Sequence, residues 1–258
     1  MNGIVNILAC ARALVCYRPL AIARGLFPWL VVAAALSLLG RNPALRVVAN
    51  LLCVFGFAFC ISLFASTYAA LAYPGYARPS SIVEELRVAG IALWKTILVM
   101  VVLAVTAKIV FGIDVWTRTH GISLVILILC QTFFVAESHV KESMSLRRLA
   151  GAFASMPLTM LTIMAMAVVW AIGIEFVLDE INQAHTVTAD DTVPAAVQRG
   201  STIVYVMVAA TLTYIRICGA VALFVALHAF WRHHVPPQTW LGQPPANQPL
   251  LAQPTDHA

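Results

Sequence analysis

Apolar residues run along this chain in long blocks, separated by short polar segments. Five blocks stand out, at about 47–72, 91–113, 119–138, 154–178 and 202–231. In hydrocarbon every backbone N–H and C=O must bond within its own segment, so an apolar block of about 20 residues reads as a spanning α-helix. A sixth block, 25–39, is shorter. It reaches spanning length only if its helix starts near Pro19 and takes in Arg24; otherwise it is a re-entrant or interfacial segment. The pattern predicts an all-α membrane bundle of about six transmembrane helices, arranged as three hairpins.

Composition removes the alternatives. The 258 residues are 61% hydrophobic and 10% charged, with a mean hydropathy of +0.89. Soluble domains carry about 25% charged residues, so a soluble globule, a disordered chain and a fibrous protein are excluded. Lys and Arg in short loops mark the cytoplasmic side of a membrane. With the N-terminus inside, the inner segments hold Arg12, Arg18, Arg24, Arg78, Arg87, Lys95, Lys141, Arg147, Arg148 and Arg232, against Arg41, Arg46, Arg118 and Arg199 outside. Both termini are therefore expected in the cytoplasm, as for a multi-pass protein of a bacterial inner membrane. Trp29, Trp94, Trp231 and Trp116 fall at expected boundaries, where indole rings prefer the headgroup level. The net charge of +5 follows from such loops and from contact with anionic lipid, and calls for no nucleic acid.

Three regions follow. Residues 1–24 spread Arg12 and Arg18 through Ile4, Ile7, Leu8, Leu14 and Val15. That is the pattern of an amphipathic helix lying at the inner interface rather than of a cleavable signal. Residues 25–231 form the six-helix domain. Residues 232–258 hold Pro236, Pro237, Pro244, Pro245, Pro249 and Pro254, too little apolar surface to fold, and are expected as a disordered cytoplasmic tail. Arginine-bearing stretches at 1–24, 80–94 and 140–153 each precede a hairpin. The second and third share Arg87-Val88-Ala89-Gly90 and Arg148-Leu149-Ala150-Gly151, which either a duplicated unit or chance explains.

Few residues are left to carry chemistry. Arg216 lies fourteen residues into 202–231 and fifteen from its end. A charge near the bilayer centre costs at least about 2.5–3.5 kcal/mol, so it faces protein or water. Lys108 and Glu175 fall at similar depths near outer helix ends, which favours a Lys108–Glu175 pair over Glu175–Arg216. These three residues form a candidate intramembrane polar site; a snorkelling or structural role competes at each. Ala58, Ser62, Ser66 and Ala70 make a four-residue ladder that lets helices approach closely, either inside the bundle or in a homo-oligomer or partner interface. Met156, Met160 and Met164 form an apolar stripe suited to filling a core. Asp179, Glu180, His185, Asp190 and Asp191 read as a solvated acidic outer loop that matches no metal motif. The six cysteines form no C-x-x-C and stay reduced; acylation at Cys10 or Cys16 is compatible with their position.

The chain has no G-x-S-x-G, H-E-x-x-H, Walker A or G-x-G-x-x-G sequence. No catalytic, cofactor or metal residue is expected. The expected partners are the lipid bilayer and other membrane proteins or further copies of the chain. The reading that follows is a non-enzymatic accessory or partner-binding component of a membrane assembly. The alternative is a transporter or permease with a polar site around Arg216.

Overall fold

The computed structural model describes residues 2–17, 19–39, 46–73, 81–111, 120–140, 145–188 and 195–233. The described residues form eight α-helices and no strand: α1 (Asn2–Cys16), α2 (Pro19–Leu39), α3 (Arg46–Ala72), α4 (Ile82–Phe111), α5 (His120–His139), α6 (Leu146–Ser155), α7 (Pro157–Thr188) and α8 (Ala195–His233). Of the expected tail, 232–258, Arg232 and His233 instead end α8; residues 234–258 lie outside the described residues, as do Trp116, Asp190 and Asp191.

Four of these helices hold a stretch long and apolar enough to cross a membrane: Phe55–Ala72, Val83–Thr106, Pro157–Gln183 and Gly200–Arg232. The apolar parts of α2 and α5, Ile22–Val32 and Ser123–His139, are shorter. α2 nevertheless starts at Pro19 and takes in Arg24 as one helix of 21 residues. Proline suits that start, because a first-turn N–H has no partner to lose.

The N-terminal 24 residues are thus divided. α1 ends at Cys16, and the stretch from Pro19 belongs to α2. One face of α1, Ile7, Cys10, Ala11 and Leu14, is buried, while Arg12 is exposed. α1 lies on α8, where Gly3 leaves room for the Phe230 ring; a Cβ there would sit 3.1 Å from it. The two later arginine-bearing stretches differ from each other. Residues 82–94 are the opening turns of α4, whereas 146–155 form the separate amphipathic α6.

α8 is the axis of the bundle, touching α1, α2, α3, α5 and α7. Ala210, Ala220, Ala222, Ala226 and Ala229 are buried along it, and small side chains let that many neighbours come close. α3 is its inner partner. The apolar stretches of α3 and α8 are 61% and 50% buried, against 22% and 17% for α4 and α7. α4 and α7 are therefore the outer helices. They turn Val102, Val105 and Ile109, and Val169, Ile172 and Phe176, outward.

Candidate functional site

Arg216 and Glu175 form an ion pair. Arg216 Nη2 donates to Glu175 Oε2 at 2.8 Å, with the arginine side chain 10% exposed. The expected Lys108–Glu175 pair does not form. Lys108 is exposed on α4, and α4 makes no substantial contact with α7. The depth comparison fails because α7 does not stop near 178. It runs on to Thr188, so Glu175 lies well inside the helix, level with Arg216. Asp179, one turn further along α7, adds its charge to the same guanidinium. Asp179 and Glu180 are thus helical rather than part of a loop. The α7–α8 contact is fixed nearby by Gly219, whose Cβ, if present, would lie 2.8 Å from the Trp170 indole nitrogen. Arg216 Nε has no hydrogen-bond partner among the described residues.

The Ala58–Ala70 ladder faces inward. Ala58, Ser62 and Ser66 are buried, and Ala70 is half-buried. Ser62 Oγ accepts from Gln131 Nε2 at 2.8 Å, and the same amide nitrogen donates to the Ala89 carbonyl at 3.1 Å. Thr96 Oγ1 donates to Gln131 Oε1 at 3.2 Å. One fully buried glutamine thereby ties α3, α4 and α5 together, and the ladder is occupied within the chain. Met160 is buried in the core.

A second charged cluster lies where α3, α5, α6 and α8 meet. Glu137, in the last turn of α5, is 0% exposed. Its Oε1 contacts His228 Nε2 at 2.8 Å and Arg232 at 3.6 Å, and its Oε2 accepts from Arg148 at 3.1 Å. The His228 Nδ1 meets the Tyr73 hydroxyl. A neutral imidazole carrying its proton on Nε2 satisfies both contacts: it donates to the carboxylate and accepts from the phenol. Phe133 stands edge-on to His228 at 4.8 Å, with Tyr73 and Trp231 rings at 5.8 Å. A lone carboxylate in such a place would cost several kcal/mol, and paired cations offset it. Sequence alone gave Glu137 and His228 no weight, since each reads as a polar residue near the end of an apolar block. A histidine three turns or so beyond Arg216 on the same long helix was the available signal.

A carboxylate–imidazole–phenol chain can hold a proton or lock helix ends. Neither large described cleft is lined by Glu137, His228 or Tyr73. The larger cleft, about 890 Å³, lies between α4 and α7 and is lined also by α5 and α6. Leu98, Val102, Leu129, Leu149 and Leu161 line it. Among the described residues no three His, Cys, Asp or Glu side chains gather as a metal site. Compared with known proteins, the chain matches no family model, no curated protein and no solved structure.

Proposed function

We propose that this chain is a six-span protein of a bacterial inner membrane, with both termini cytoplasmic, that works as a non-enzymatic accessory component by binding a partner within the bilayer. The observation that carries the reading is the cleft between α4 and α7, lined by apolar side chains. The charged groups support it, because they are satisfied within the chain: Glu137 by Arg148, Arg232 and the His228 imidazole, and Arg216 by Glu175. The span count is supported by α2 and α5, 21 and 20 residues long. At 1.5 Å per residue each covers about 30 Å, the thickness of the hydrocarbon core.

Native mass spectrometry of protein taken into mild detergent tests the binding role. The parent should retain a bound molecule that the cleft-filling Ala150→Trp variant loses. Identical bare masses for the two would overturn the reading. Reporter fusions in 112–119 and after 233 test the topology: the first should report outside and the second inside.

One observation favours the transporter alternative. The unpartnered Arg216 Nε leaves a donor for an anion inside the bundle. In that case Arg216→Met would abolish anion flux in proteoliposomes while leaving the protein monodisperse.

A further inference from the structure

We infer that the cleft between α4 and α7 is a site for an anionic phospholipid, one acyl chain lying in the cleft and the phosphate meeting Arg147. This rests on the partner-binding reading above and gives the partner its chemical class.

α6 decides the polarity of the site. At 100° per residue, Leu146, Leu149, Ala150 and Phe153 gather on one face of this helix, and all four line the cleft. Arg148 points the opposite way, into the bundle, where it holds Glu137 at 3.1 Å. Arg147 falls between the two faces, about 20° beyond the cleft-lining Ala154, and is exposed. One arginine of the adjacent pair is thus structural, and the other stands at the rim of an apolar cleft. An amphipathic helix so arranged lies in the headgroup plane with its apolar face toward acyl chains.

α4 marks the same level independently. Lys95 precedes the cleft-lining Leu98, Val99 and Val102 by three, four and seven residues, so it shares their face one turn nearer the start of the helix. Trp94 beside it is 68% exposed, as befits an indole at the headgroup boundary. Two cations and an indole therefore stand at one end of the cleft. From there its walls run along α4 toward Leu103 and along α7 from Pro157 toward Met164, both into the apolar stretches.

At about 890 Å³ the cleft is within the roughly 300–1,000 Å³ of small-ligand sites. Its lining presents almost no polar surface, which suits an acyl chain and offers nothing to a polar solute. The negative charge of the occupant follows from Arg147, exposed at the rim.

The test is titration of delipidated, detergent-solubilised protein with phosphatidylglycerol or phosphatidylcholine, read by native mass spectrometry. The parent should bind one phosphatidylglycerol at least about fivefold more tightly than phosphatidylcholine. Arg147→Gln should lose about fivefold for phosphatidylglycerol, the worth of one basic residue near anionic lipid, and leave phosphatidylcholine unchanged. Ala150→Trp should lose both lipids. Equal affinity of the parent for the two lipids overturns the inference. So does undiminished binding in Ala150→Trp. Should the cleft instead release a polypeptide on Ala150→Trp substitution, the lipid assignment falls and the partner-binding reading stands. Should nothing bind, both fall.

Discussion

Removing the Glu137 carboxylate should be among the most damaging changes available to this fold. Glu137→Ala leaves three cationic or hydrogen-bonding groups facing one another at the junction of α5, α6 and α8. Breaking a buried pair by deleting one partner costs about 3–5 kcal/mol, because the other charge stays behind unpaired. Here part of that cost is avoidable. The Arg148 and Arg232 side chains are 34% and 23% exposed and can turn outward, whereas His228 at 0% cannot. Its Nε2–H would remain buried without an acceptor, a loss of about 1–3 kcal/mol. The expected destabilisation is about 2–4 kcal/mol, a fall in melting temperature of roughly 5–15 °C for a chain of this size. Thermal unfolding in detergent, followed by size-exclusion recovery, measures it. The double variant with His228→Ala should lose less than the sum of the singles, since residues sharing a network couple by about 0.5–3 kcal/mol. Additive losses, or a Glu137→Ala variant that melts with the parent, would refute the claim that this cluster joins the helix ends.

Other consequences follow from single contacts. Burial pushes the Cys10 thiol up to about 11 from an ordinary 9.0, so maleimide should label exposed Cys16 at neutral pH and leave Cys10 unmodified. The raised value adds stability that is complete below pH 9 and fades as pH climbs toward 11; α1 should loosen from α8 across that window, seen as late Cys10 labelling. Gly219→Ala sets a Cβ against the Trp170 indole at 2.8 Å and should cost about 1–3 kcal/mol by overpacking, with Trp170→Leu in the same chain restoring the melting temperature. Ser62→Leu should lower the melting temperature by removing the acceptor of Gln131, with no change in oligomeric state by light scattering.

The elements were largely legible in the sequence because a membrane leaves few ways to fold. Apolar blocks become helices, and α2 begins at the proline that would make it long enough. What was not legible is the way helices meet. The length of α7 shows why: nothing in the apolar pattern announces that the helix continues through Asp179 and Glu180 to Thr188, and without that register Arg216 and Glu175 seem to lie at different depths. The Glu137 cluster has the same cause at longer range. Tyr73, Glu137, Arg148 and His228 come from four helices or their ends, and only packing brings them to one point. The small-residue ladder illustrates a further limit. Its spacing states that a helix will come close, but not whether that helix belongs to the same chain; Gln131 answers this by reaching Ser62 from α5.

A density map of the protein in a phosphatidylglycerol nanodisc tests the account most directly. It should show α4 and α7 held apart over α5, with elongated density between them ending in a phosphate-sized feature beside Arg147. α4 packed directly against α7, with no space for a bound molecule, would contradict it.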